Sequence, residues 1–274
     1  MLQELKNVFS IDLHISDSLS VKEHEKLDDL FSRLSIYTRL YSLEFRKKEE
    51  MNWLVDKFAR NSIKSLTLDE NLCRDLLETA KVACPDLRRL LLRRYYWNVP
   101  GNPLPAEGLE AVGKEVAKAF PELEWLVVDC SRVSITETYG TTDFKELLGP
   151  FAHAISGMAE LQRLSVTLPP CLLDEISISP RAAGEHIHRD LATGIEHVSQ
   201  IAPKLKHICF TVDECRPQLY RSMSNRSTSI VRRDYRRKRT PILYRGVRNT
   251  ESKEMVLERI PVPSRHNFPE GLMY

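Results

Sequence analysis

A short apolar alternation recurs along the chain. Leu40, Leu43 and Phe45 have the spacing L-x-x-L-x-L, as do Ile63, Leu66 and Leu68, and Leu87, Leu90 and Leu92. Leu123, Leu126 and Val128 repeat it, then Leu161, Leu164 and Val166, then Leu205, Ile208 and Phe210; Val8, Ile11 and Leu13 form a weaker first copy. Successive copies begin 23 to 44 residues apart. Alternation over so short a run predicts a strand with one face buried.

Between the copies the period becomes helical. Leu27, Leu30, Phe31 and Leu34 fall at i, i+3, i+4, i+7, and Met51, Leu54, Val55 and Phe58 do the same. Further stripes are Cys73, Leu76, Leu77 and Ala80; Leu109, Val112, Val116 and Phe120; Phe151, Ala154, Ile155 and Met158; and Leu191, Ile195, Val198 and Ile201. Each predicts a helix with one apolar side. Pro85, Pro121 and Pro203 each stand two residues before the first leucine of a strand copy. Proline turns the preceding residue away from helical geometry, so these positions predict helix ends.

The predicted unit is thus helix, tight turn, short parallel strand, repeated about seven times. No single unit buries its apolar side alone, whereas stacked units share one core. The fold expected is an α/β, irregular solenoid over 1–215, then a basic, mobile loop over 216–240, then terminal strands and tail over 241–274. Alternation at 241–247 and 255–262 predicts the terminal strands. Gly, Pro and polar residues at 95–107, 131–142 and 169–185 predict inserted loops.

On these units the chain resembles the leucine-rich-repeat (ribonuclease-inhibitor-like) superfamily, most of all the irregular repeats of fungal F-box/leucine-rich-repeat proteins. The resemblance covers about 8–211, and Asn71 and Cys130 stand near the place where regular repeats carry Asn or Cys after the strand. It implies a protein-binding scaffold that recognises substrates for an SCF-type ubiquitin ligase. No L-P-x-E-like F-box opening occurs near the N-terminus, ahead of the first strand copy; the stretch Leu104–Glu107 has that spacing but lies between the third and fourth full copies. Contact with the cullin-ligase adaptor is therefore expected only if an F-box is supplied.

Composition changes this picture little. The chain has 274 residues, 42% hydrophobic and 28% charged, within the range of globular domains. Charge is uneven: 216–248 carries eleven Lys and Arg against the single acid Asp234, although the whole chain is only +2. The densest part holds Arg232, Arg233, Arg236, Arg237, Lys238 and Arg239. Three readings stand for this segment: a solvated loop, a nuclear-import signal, or a contact for nucleic acid or an acidic membrane surface. None of the six cysteines forms a C-x-x-C pair, and no apolar run approaches the length of a membrane helix. A reduced, cytoplasmic or nuclear protein with no membrane partner is expected.

Candidate chemistry is sparse. The chain contains no P-loop, G-x-G-x-x-G, G-x-S-x-G or H-E-x-x-H. His186, His188 and His197 with Glu185 and Glu196 are the one ligand-like cluster. Gly184 and Gly194 argue against a single helix through them, so a solvated surface is expected rather than a metal site. Neither an enzyme nor a cofactor is expected.

The concave strand face is the candidate site. Third, fifth and seventh positions of each copy are expected to point outward there: Ser42, Glu44 and Arg46; Ser65, Thr67 and Asp69; Arg89, Leu91 and Arg93. Trp125, Val127 and Asp129 follow, then Arg163, Ser165 and Thr167, then His207, Cys209 and Thr211. Arg89, Leu91, Arg93, Trp125, Val127, Asp129 and Arg163 form an apolar centre with a charged rim, the composition of a protein-binding hot spot. The alternative is a nuclear nucleic-acid- or chromatin-associated protein acting through 216–248.

Overall fold

The computed structural model describes residues 10–12, 22, 25, 26, 29, 42–45, 63–68, 74–92, 105–129, 144–172, 180–215 and 239–260. They form a mixed α/β structure around one sheet. The strands are β1 (Ser10–Asp12), β2 (Ser42–Phe45), β3 (Ser65–Leu68), β4 (Arg89–Leu92), β5 (Trp125–Asp129), β6 (Arg163–Leu172), β7 (His207–Cys215), β8 (Arg239–Arg248) and β9 (Met255–Ile260). Among the described residues, four helices with defined bounds intervene: α1 (Arg74–Ala83), α2 (Pro105–Ala119), α3 (Phe144–Ser156) and α4 (Pro180–Ile201). Strands lie in chain order, parallel from β1 to β7, with β8 and β9 added antiparallel. Of the helices expected over 27–34 and 51–58, only Asp29 is described; it is helical and exposed.

One turn joins each helix to its strand. The N–H of Cys84 donates to the Ala80 carbonyl at 2.8 Å, and that of Leu87 donates to the Cys84 carbonyl at 3.2 Å. The same pair of bonds closes the turns at Phe120–Leu123 and Ala202–Leu205, and the second of them recurs between Met158 and Leu161. Pro85, Pro121 and Pro203 occupy the second position of these turns, where a fixed φ fits and no N–H is needed. Ala159 takes that place in the remaining turn.

The strand after each turn starts on the preceding unit. Arg88 and Arg89 both donate to the Lys64 carbonyl, Glu124 and Trp125 to that of Arg88, Gln162 and Arg163 to that of Glu124, and Lys206 and His207 to that of Gln162. These shared acceptors hold the motifs of β3 to β7 in the same register. Leu66, Leu90, Leu126, Leu164 and Ile208 therefore align in one row, with Leu68, Leu92, Val128, Val166 and Phe210 in the next. Both rows face the helices and are at most 1% exposed.

The helices complete the core with Leu77 and Ala80, with Leu109, Val112 and Val116, with Phe151, Ala152 and Ile155, and with Leu191, Ile195 and Val198. On α3 the buried side begins at Phe144 and includes Leu147 and Leu148, while Ala154 is half-buried. Consecutive helices touch along the series α1 to α4. Ion pairs link successive turns, Lys64 to Asp86 at 3.2 Å and Arg88 to Glu122 at 3.1 Å. Being partly exposed, each contributes up to about 1 kcal/mol.

Two expectations fail around α4. The inserted loop expected over 169–185 contracts, because β6 runs on to Leu172 and α4 begins at Pro180. A single helix does run through Gly184 and Gly194. At Gly194 the reason is close approach: a Cβ there would lie 3.1 Å from Leu148 Cδ1 and 3.5 Å from Phe144 Cβ. Packing against α3 thus overrides the weak helix propensity of glycine. Among the described residues no helix is long and apolar enough to cross a membrane.

Candidate functional site

The sheet face opposite the helices carries the side chains singled out above. Parallel register places Ser65, Arg89, Trp125, Arg163 and His207 side by side on β3 to β7. A second row holds Thr67, Leu91, Val127, Ser165 and Cys209. Antiparallel pairing then sets Arg245 of β8 opposite Cys209, on the same face.

Trp125 is the centre of the first row. The Arg89 guanidinium carbon lies 3.9 Å from its ring centroid and that of Arg163 lies 4.2 Å away. Strand register puts these arginines on the neighbours to either side, so the indole is flanked from both. Such stacking contributes about 0.5–1 kcal/mol per pair at partly exposed sites and fixes long side chains that would otherwise sample many rotamers. A guanidinium stacked by its face keeps its N–H groups in its own plane, parallel to the ring.

The face continues as a cationic band. His207 is half-buried, and its pKa is held below the ordinary 6.5, first by burial and then by the charges of Arg163, Arg245 and Lys206. Arg245 pairs with Glu258 across β8 and β9. Asp129, two residues along β5 from Val127, brings one carboxylate to the same side.

Not every expected site residue is accessible. Arg89, Trp125, Asp129 and Arg163 are half-buried, whereas Leu91 is 9% and Val127 4% exposed. Ser165, Thr167 and Cys209 of the same face are also buried, against the expectation that these positions point to solvent. Each has in-register neighbours on both adjacent strands, which close over short side chains. Arg93 lies outside the described residues, as do Arg232, Arg233, Arg236, Arg237 and Lys238; Arg239 is the first residue of β8.

The described residues offer little else for chemistry. They contain no group of three His, Cys, Asp or Glu placed to hold a metal ion. Burial pushes the thiols of Cys84 and Cys209 up to about 12, which makes them poor nucleophiles at neutral pH. Ser165 Oγ is buried beside the Cys209 thiol with no hydrogen bond of normal geometry. On the helix side, Glu110, Lys114, Gly149, Pro150, His153 and Ala154 line an open groove of about 610 Å³. Its Glu110 and Lys114 are paired with each other.

No family model matches the chain, and no curated protein matches it. Sequence reasoning placed the arginines and Trp125 on one face through the shared motif register. It missed Arg245, because alternation at 241–247 does not reveal which strand β8 pairs with or in which direction.

Proposed function

We propose that this protein is a non-enzymatic scaffold of leucine-rich-repeat type that binds a protein partner on the strand face carrying Arg89, Trp125 and Arg163. Two features support the repeat reading: the recurring helix-to-strand turn and the single register of the parallel strands. The observation that carries the binding reading is the stack of two guanidiniums on Trp125. It is a pre-ordered aromatic and arginine cluster on a sheet face, the kind of group from which interface hot spots are built. The resemblance noted above makes the partner a ubiquitin-ligase substrate, with the cullin-ligase adaptor engaged only if an F-box is supplied.

The test is affinity capture of the tagged full-length protein, with co-purifying proteins identified by mass spectrometry and their affinities measured. Trp125→Ala is expected to weaken the principal partner by about tenfold or more, the size of effect shown by hot-spot truncations. An unchanged affinity in a variant that folds normally would remove the strand face from the interaction. Binding to duplex DNA with a steep salt dependence, lost on deletion of 221–239, would instead favour the basic segment.

A further inference from the structure

We propose that β9 is a self-association edge: two copies of the chain pair their β9 strands antiparallel about a two-fold axis at Leu257, joining two sheets into one. This goes beyond the partner-binding reading and does not rest on it.

The edge is open. β9 ends the strand order, and among the described residues no strand lies beyond it. Sheet edges are commonly blunted by brevity, proline or a bulge. β1, at the opposite edge, has only three residues. β9 has six, contains neither Pro nor Gly, and pairs with β8 without a register shift. Its Val256 is 57% exposed.

Hydrogen-bond parity decides which backbone groups face outward. The Arg248 N–H donates to the Lys206 carbonyl on the β7 side, and the Asn249 N–H donates to the Glu254 carbonyl across the β8–β9 turn. Antiparallel ladders alternate, so Val247 and Arg245 exchange their bonds with Val256 and Glu258. Met255, Leu257 and Arg259 therefore direct their N–H and C=O groups away from β8.

These residues are symmetric about Leu257. An axis there sets Met255 opposite Arg259 of the second copy and Leu257 opposite its own counterpart, so every outward group finds a partner. An axis at Val256 would set Arg259 against Lys253, a turn residue at φ 63°. An axis at Glu258 would set Met255 against Pro261, which has no N–H. Side chains agree with the Leu257 register. Val256 comes opposite Glu258 of the second copy, so no like charges meet on the strand face, and the exposed valine covers the stem of a glutamate already held by Arg245. The axis stands perpendicular to the sheet and leaves both Trp125 faces on the same side, where one bivalent partner can engage both. The paired stretch Met255–Arg259 is far smaller than the roughly 20–30 residues per side of a stable interface, so the dimer is reversible, with a Kd of about 1–100 μM.

Sedimentation velocity of the full-length chain from about 1 to 200 μM is expected to show this monomer–dimer equilibrium. Val256→Glu sets like charges opposite each other at two symmetric places and should weaken the dimer about tenfold. Val256→Lys meets Glu258 instead and should dimerise at least as tightly as the parent. Because Val256 is exposed, neither substitution should unfold the monomer, which circular dichroism melts check. Amide hydrogen exchange gives a second readout. The N–H groups of Met255, Leu257 and Arg259 should exchange faster on dilution, whereas those of Val256 and Glu258, bonded to β8, should not. A monomer at every concentration, or equal weakening by Val256→Lys and Val256→Glu, would overturn the proposal. Slow exchange of the Met255, Leu257 and Arg259 amides in the monomer would also overturn it, by placing another segment of the chain on this edge.

Discussion

Gly246 gives the sharpest test of how β8 and β9 close the sheet. It sits on β8 between Ile208 and Leu257, on the helix side. A Cβ added there would lie 2.6 Å from Ile195 Cγ2, 2.8 Å from Met255 Cγ and 3.0 Å from Met255 Sδ. The Met255 side chain is unbranched and can move aside. Ile195 cannot: it is fully buried on α4, and β-branching holds it to one rotamer in a helix. Gly246→Ala therefore forces β8 away from α4. Overpacking of this kind costs about 1–3 kcal/mol, against which alanine returns about 0.4–1 kcal/mol by restricting the unfolded chain. The net expected loss is about 1–2 kcal/mol, or several degrees in Tm for a chain of this size. Urea denaturation followed by circular dichroism measures it. Ile195→Ala alone should cost about 2–5 kcal/mol through the cavity it leaves. In the double variant the added methyl enters that cavity, so the two losses should fall short of additive by about 1 kcal/mol. A Gly246→Ala protein as stable as the parent, or strict additivity with Ile195→Ala, would refute the close packing of β8 on α4.

Three further outcomes are expected. Arg248 donates from Nε to the Leu205 carbonyl at 3.0 Å, from Nη2 to that of Ser199 at 3.0 Å and from Nη1 to that of Lys253 at 2.7 Å. Arg248→Met should destabilise by about 2–3 kcal/mol and Arg248→Lys should recover little of it, since one ammonium cannot reach all three; a loss under about 0.5 kcal/mol for Arg248→Met would contradict this. Because the fold depresses the pKa of His207, the unfolded chain takes up that proton first as pH falls. Its contribution is intact above the ordinary 6.5 and lost as pH drops through the lowered value, so His207→Gln should flatten the stability profile in that window; an unaltered profile would show that His207 does not titrate differently on folding. Cys84 and Cys209 should resist alkylation at pH 7–8 until denaturant is added, and labelling of either at the rate of an exposed thiol in the native protein would show that its burial is wrong.

The alternation of Leu87, Leu90 and Leu92 and its counterparts announced the strands. Prolines 85, 121 and 203 announced the turns, because both signals are local: side-chain period and backbone φ are properties of a few consecutive residues. Local order also placed Arg89, Trp125 and Arg163 on one face, since equivalent positions in equivalent strands point the same way once the strands are in register. Three things required the tertiary structure. Burial of Leu91, Val127 and Cys209 depends on neighbours from two other strands, which no single stretch contains. The unbroken course of α4 through Gly194 depends on how near Leu148 and Phe144 stand, a distance between helices that propensity does not encode. Arg245 joins the cationic face only because β8 turns back antiparallel on β7. Sequence therefore determined which segments form elements and which side of each is apolar. Long-range pairing decided what lies beside what, and so which charges meet around Trp125.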